Sequence, residues 1–566
     1  MCGILLHKGN KNILNKFEEN LNSLNHRGPD NKSFISFNNT LIGHTRLSII
    51  DPDITANQPM ISNCNNFILS FNGEIYNYKE IRSELIKLGY KFKTNSDSEV
   101  LLNGYIHYGQ NILSNLEGIF AFIIYNKLDN TIFFARDHFG VKPLYYYING
   151  TNLIISSELK VFKDLCRVDD KSKILFLSHG YIPAPNTYLK NVKILLPGQF
   201  GYCRNSKIKI ENYFDALDLI KKSHEVFNPN LISNSVKSQM ISDAKLGCFF
   251  SGGIDSSILT FESQRLNKNI ETYSINFKNH EDESGFQKSM KDLYGFKNIS
   301  KELKYSDFKS NINNLMNYMD SPTIDGLNTF FVSSIAKKQN AKVALSGLGA
   351  DEIFLGYPIH KRYNQLYFIQ KFNRFLPLKY LNEKYKKLDY LSLNNDYGVY
   401  LSQRAIFSMS EISSILKISQ ANVKEYLKCN LIFNNKINTL SRLERMIYFE
   451  ICQYMEGQLL RNTDVFGMAN SLEIRVPFLD LELTKNILGI DKKHTQGKQI
   501  LIDNYKQYIP KKIYMRNKMG FELPYKYWLK RIGAYKKHIN NYYNIKLNYD
   551  SHWSKIWALE ILEIKY

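Results

Sequence analysis

"CFFSGGIDSS" (residues 248–257) is the stretch on which the reading of the fold turns. An apolar run ends in Ser-Gly-Gly, and the residues after it can begin a helix. Glycine lets a backbone approach an anion closely, and the free N–H groups at a helix start attract phosphate. Ser251 and Ser256 add hydroxyl donors, and Asp255 can hold a magnesium ion. With Gly252 and Gly253 but no lysine behind them, the loop differs from GxxxxGK[ST] and suits a pyrophosphate. It points to cleavage of ATP between its α and β phosphates. For one such loop, a plain strand–turn–helix is the bland alternative.

A second loop of the same kind, "ALSGLGADEIFLGY" (344–357), weakens that alternative. In open parallel sheets, ligands bind at the carboxyl ends of strands. Ser346, Gly347 and Gly349 can line an adenylate there, and Asp351 can share the magnesium with Asp255. "RVPFLD" (475–480) and "RNKMGFELPYKYWL" (516–529) bring further fixed charge. Lys518 in the latter is a candidate to steady a leaving pyrophosphate, with an ordinary surface lysine as its alternative.

Around these loops, from about residue 216, the strand-like runs "KLGCFF", "ETYSINF" and "KVALSG" alternate with helix-length segments, the pattern of a parallel α/β sheet. "LSRLERMIYFEICQYMEGQLL", near 440–462, carries apolar residues at helical spacing and reads as core. Upstream the texture is different. "NNTLIGHTRLSII", "NNFILSFNGEIYN", "IFAFIIYNKLDNTIFFARD" and "PLYYYINGTNLIISSEL" are β-rich runs broken by Asn, Gly and Asp. "YKEIRSELIKLGY" is the one clear helix among them, with Gly89 as its stop. The change falls within "PGQFGYCRNSKIKIENYFDALD", after Pro197, so we expect domains at 1–212 and 216–566.

Bulk properties agree with two globular domains. A chain of 566 residues exceeds one ordinary core, and 44% apolar residues argue against disorder. No run of about 18 apolar residues and no signal-peptide pattern occur, so neither a membrane span nor export is expected. The seven cysteines are scattered, odd in number and free of CxxC or zinc spacing, which fits a reduced cytoplasm. The net charge of +21 invites a nucleic-acid partner. Lys, Asn, Ile and Tyr are enriched throughout, however, and solvated helix faces explain the charge without one.

The start of the chain, "MCGILLHKGN", adds a second chemistry. Met1 is readily trimmed before a small residue, leaving Cys2 with both a thiol and an α-amine. That amine has an ordinary pKa of about 8, low enough to act as the thiol's own base.

Taken together, the chain resembles the glutamine-hydrolysing asparagine synthetase family. The N-terminal part is similar to a class II glutamine amidotransferase through "MCGI", "HRGPD" (26–30), "HTRLSIID" (44–51), "FNGEIYN" (71–77), "SDSE" (96–99), "EGIFAF" (117–122) and "ARDHFGVKPLYY" (135–146). The C-terminal part resembles an ATP-pyrophosphatase synthetase through the two loops and "LLRNTDVFGMANSLEIRVPFLD" (459–480). The resemblance implies an α+β Ntn-hydrolase-type four-layer αββα sandwich. An α/β domain of adenine nucleotide alpha hydrolase type follows, with a parallel sheet and extra helices.

It also implies roles. Cys2 attacks the glutamine amide, forms a γ-glutamyl thioester and releases ammonia, with Asn72 and Gly73 as oxyanion donors. Arg46 pairs with the glutamine carboxylate and Asp97 with its ammonium, while Leu47, Ser48, Ile49, Ile50 and Glu74 line the substrate. Phe249, Ile275, Ser346 and Gly347 match nucleotide-contacting positions. The acceptor is adenylated there, with ATP and Mg2+ as co-reactants, and ammonia arriving by an internal tunnel displaces AMP.

Three departures concern the acceptor. Leu348 stands where many members carry glutamate, which leaves its role to another group such as Glu473. "DVFGM" (464–468) has Val465 and Gly467 in place of a cation and a serine, and "KNIS" (297–300) lacks a histidine. The expected reaction converts aspartate to asparagine, releasing AMP and pyrophosphate. The alternative keeps the machinery and amidates a uronic acid or other small carboxylate. An RNA-modifying adenylating enzyme is the competing class, opposed by Cys2 and the glutaminase motifs. Expected partners are therefore glutamine, ATP and the acceptor, without nucleic acid or membrane, and a homodimer is compatible with this.

Overall fold

The computed structural model describes residues 2–566 apart from 11–13, 206, 221–225, 278–282, 373–382, 431–434, 492–495, 517–522, 540–544 and 546. The N-terminal part contains two six-stranded sheets. The first runs, edge to edge, Val192–Ile194, Tyr145–Asn149, Asn152–Ser156, Gly3–Lys8, Thr40–Arg46 and Asn31–Phe37. The second runs Lys207–Asn212, Gln199–Arg204, Thr131–Arg136, Gly118–Asn126, Phe67–Ile75 and Met60–Ile61. The registered pairs in both sheets are antiparallel.

Side-chain alternation along the strands builds four layers. Ile4, Leu6, Ile42 and Ile155 of the first sheet meet Ile68, Ile123, Tyr125 and Phe134 of the second in one buried cluster. Phe122 and Ile124, pointing the other way from Ile123, pack with Ile81 and Leu85 of helix Tyr78–Lys87 and with Leu101 of helix Asp97–Tyr108. On the far side, Leu5 packs near Phe17 and Leu21 of helix Phe17–Ser23. The order is helix, sheet, sheet, helix, the four-layer αββα sandwich expected from the sequence. Because both faces of Gly118–Asn126 are covered, "GIFAFIIYN" reads as a continuous apolar run rather than an alternating one.

The third sheet is parallel throughout, in the order Asn298–Leu303, Glu271–Phe277, Leu246–Phe249, Val343–Leu345, Glu473–Arg475. In chain order this is 3-2-1-4-5, the arrangement of a doubly wound sheet. The switch point lies between Leu246–Phe249 and Val343–Leu345, where crossovers leave in opposite directions and a crevice opens. The two glycine loops leave from these two strands. Ser441 caps helix Arg442–Phe449 with a reciprocal bond from Glu444. The block then widens into an eleven-residue π-helix, Glu450–Leu460, before returning to α at Arg461–Met468. Its apolar spacing reads as one ordinary helix and does not anticipate this stretch. No helix among the described residues is long and apolar enough to cross a membrane.

Ile123 is fully buried between the two antiparallel sheets. Ile123→Ala should therefore cost about 2–5 kcal/mol, read as a lower midpoint of chemical unfolding. A midpoint equal to the wild type's would show that the sheets do not pack through this residue.

Candidate active sites

In the N-terminal part, strand Gly3–Lys8 begins beside Phe67–Ile75, and Cys2 lies at that junction. The Cys2 nitrogen donates to Asn72 Oδ1 at 2.9 Å, and Arg27 Nε donates to the Cys2 carbonyl at 3.1 Å. With its oxygen turned to Cys2, Asn72 presents its Nδ2 amide, which is buried and bonds to no other group. It is a donor waiting for an acceptor. Gly73 has φ +148°, and a Cβ there would lie 2.0 Å from the Ile119 carbonyl. Only glycine lets the backbone pass so close to the neighbouring strand. Burial pushes the Cys2 thiol up, against the nearby chain terminus, the Leu47 N–H and Arg46.

Asp97 starts its helix with Oδ2 accepting from the Ile75 N–H at 3.0 Å, and burial raises it to about 7. Arg46 is already engaged. Its Nη1 donates to the Asp53 carbonyl and Asn57 Oδ1, and its Nη2 to the carbonyls of Ile50 and Asp51. A carboxylate bound at Arg46 would have to replace some of these bonds. Leu47 and Ile49 turn their side chains away, into a small cluster with Val343 and Met468 of the C-terminal part. The Ile49 carbonyl accepts from Asp243 N–H, and Ser48 N–H donates to Asp30. Both the backbone and the side chains of this segment thus tie the two parts of the chain together.

At the switch point of the parallel sheet lies a cavity of about 740 Å³, within the range of small-molecule sites. Phe249, Ser251, Gly253, Asp255 and Ser256 from the first loop line it with Ile275. Ser346, Gly347, Leu348 and Asp351 line it from the second loop. Gly252, at φ +94°, closes the turn, and its N–H donates to Ser256 Oγ at 3.1 Å. The loops touch, since a Cβ on Gly347 would sit 3.2 Å from that of Asp255.

Lys498 joins them, with its Nζ 2.5 Å from Asp255 and 2.6 Å from Asp351. Burial works against its ammonium, and the two carboxylates more than offset this, holding its pKa up. Two carboxylates around one cation are what magnesium uses when phosphates supply its other ligands. No group of three or more His, Cys, Asp or Glu able to hold a metal occurs among the described residues. Asp255 and Asp351 thus fit an ion that arrives with a triphosphate, where it would neutralise phosphate charge.

Not every expected residue reaches these sites. Lys518 lies outside the described residues. Glu473 does not line the cavity. It sits wholly buried on strand Glu473–Arg475, between the two sites, with Arg475 Nε at 2.6 Å and Lys142 Nζ at 3.9 Å. Arg475 also reaches Glu74 at 3.2 Å. Burial pushes both carboxyls up. For Glu473 the charges of Arg475 and Lys142 win and hold it at about 2, whereas Glu74 stays raised. Glu473 is therefore part of the joint between the parts rather than a base in the cavity.

Comparison with known proteins matches both halves. Residues 1–214 fit the glutamine amidotransferase domain model and residues 229–552 the asparagine synthase model. The glutamine-hydrolysing asparagine synthetase 1 of Bacillus subtilis is 32% identical, over 89% of this chain and 83% of its own. A putative asparagine synthetase of Mycobacterium tuberculosis is 29% identical over 90% and 84%. The amidase chyE of Penicillium rubens is 25% identical over 93% and 89%. The chain belongs to the glutamine-hydrolysing asparagine synthetase family.

Sequence reasoning missed Lys498, which stands 243 positions from Asp255. Its one local signal is the Gly-Lys pair of "QGKQI" (496–500), where Gly497 and Lys498 both have positive φ. A non-glycine residue in that region is uncommon and marks imposed geometry. Lys142 and Arg475 were equally invisible as partners, because they meet only in the folded chain.

Arg475→Met should cost about 3–5 kcal/mol, because it leaves two carboxyls buried without their cation. Glu473's depressed pKa contributes stability that is present above its ordinary 4.5 and lost as pH falls toward about 2. In the variant that contribution is weakened, so its deficit against wild type should shrink as pH is lowered. Denaturant unfolding at several pH values tests this, and a pH-independent deficit would contradict it.

Proposed function

We propose that the enzyme makes asparagine from aspartate, coupling glutamine hydrolysis at Cys2 to ATP cleavage in the switch-point cavity. Removal of Met1 frees the Cys2 amine, which takes the thiol proton as sulfur attacks the glutamine amide. Asn72 Nδ2 and the Gly73 N–H receive the oxyanion, and ammonia leaves as the γ-glutamyl thioester forms. Asp97 takes the substrate ammonium. In the cavity, the acceptor carboxylate attacks the α-phosphorus of ATP, and pyrophosphate departs against Lys498 and the N–H groups of the first loop. Ammonia, passing inside the protein, then attacks the acyl-adenylate and expels AMP. Adenylation is needed because a bare carboxylate is too poor an electrophile for ammonia.

The observation that carries this reading is the meeting of Asp255, Asp351 and Lys498 where both glycine loops leave their strands. A second reading, amidation of a uronic acid, draws on Tyr181, Tyr357, Tyr400 and Tyr454 in the cavity lining and on the aliphatic Leu348.

Incubation with Mg-ATP, glutamine and either aspartate or galacturonate separates the readings by which acid drives pyrophosphate release. Cys2→Ala should lose glutamine-dependent product and keep ammonium-dependent product near the wild-type rate. Asp255→Asn and Asp351→Asn should each lower synthesis at least about a hundredfold, because the leaving charge loses its counter-ion, while glutaminase activity persists. Synthesis from glutamine by Cys2→Ala would remove the first half of the proposal. Normal AMP production by either aspartate variant would remove the second.

A further inference from the structure

Besides the nucleotide loops, residues 324–329, the end of helix Asp396–Arg404 and the π-helix Glu450–Leu460 line the cavity. Two charged side chains of these segments, Arg404 and Asp325, belong to that lining. Arg404 Nε donates to Glu450 Oε1 at 2.8 Å, and its Nη2 donates to the other oxygen. The guanidinium lies 4.4 and 4.0 Å from the ring centres of Tyr357 and Tyr454, which themselves meet edge to face. Its Nη1 bonds to no described residue. Asp325 accepts the Gly326 N–H on Oδ1 at 2.7 Å, while Oδ2 bonds to no described residue. Beyond burial, the Tyr454 phenol feels Arg404 pulling its pKa down and Asp325, Glu352 and Glu450 pushing it up, so Arg404 and Asp325 border one ring.

An unpaired carboxylate in such a wall is costly unless a ligand brings it a cation. A planar guanidinium with one edge tied and the other open suits a carboxylate. Resting on the reading that this cavity activates an acceptor, we propose that Asp325 and Arg404 hold the head of an α-amino acid. Asp325 takes the α-ammonium and Arg404 Nη1 the α-carboxylate. The side-chain carboxylate is then left to reach the nucleotide loops. A uronic acid lacks the ammonium that Asp325 requires.

Pyrophosphate release by the full chain, with ammonium chloride as nitrogen donor, tests the pair without involving Cys2. Aspartate is the substrate, and two fragments of it serve as competitors. Succinate lacks the ammonium, and β-alanine lacks the α-carboxylate. Asp325→Asn and Asp325→Ser should raise the KM for aspartate about tenfold to a hundredfold, the loss expected for a charged hydrogen bond. The inhibition constant of succinate should not change in either. Arg404→Lys should raise the KM for aspartate and leave inhibition by β-alanine unchanged. An unaltered KM in both Asp325 variants overturns the pair while aspartate amidation stands. Wild-type enzyme that releases no pyrophosphate with aspartate overturns the aspartate reading, and this inference with it.

Discussion

Arg475 is the residue on which both candidate sites depend. Its guanidinium is wholly buried, bonded to Glu473 on its own strand and reaching Glu74 beside Cys2. Its Nη1 also holds the carbonyls of Gln239 and Ile241, and its own carbonyl accepts from Ser346 N–H in the cavity's second loop. One side chain thus ties the strand after Asn72 and Gly73 to the parallel sheet that carries the cavity. Charges removed from water are tolerated only when their partners are fixed, so this cluster constrains the relative placement of the two parts. Arg27 with Asp464 at 2.8 Å and Arg136 with Glu456 at 3.0 Å repeat the device nearby.

The two sites solve the same physical problem in different ways. Under the proposed reaction each would stabilise negative charge as it develops, and in each a glycine shapes the backbone beside the charge. In the N-terminal part Gly73 lies in the middle of a sheet, with the buried Asn72 Nδ2 beside it. In the C-terminal part the N–H groups of Gly252 and Gly253 are held by Ser256 and Ser251 at a helix start, and Lys498 supplies the fixed positive charge there. Donors fixed before the reaction avoid reorganisation when the charge appears.

Much of this was legible because it is local. The strand runs, the Tyr78–Lys87 helix with its stop near Gly89, the two glycine loops and the Cys2 start are short patterns with direct physical meaning. The parallel character of the third sheet followed from alternation alone. What escaped depends on the fold bringing distant residues together. Glu473 is a candidate for the role that Leu348 leaves open, yet it lies on its strand beside Lys142 and Arg475 and away from the cavity lining. The π-helix and the pairing of Arg404 with Glu450 share this origin, since apolar spacing records which face is buried and not which buried polar groups meet.

The central claim is that ammonia made at Cys2 reaches the cavity through the interior these ion pairs enclose. The decisive measurement supplies glutamine labelled with 15N in its amide, together with excess unlabelled ammonium, and follows the label into product by mass spectrometry. Internal transfer predicts that the new amide keeps most of the glutamine label despite the competing pool. Product labelled only in proportion to bulk ammonium would contradict it.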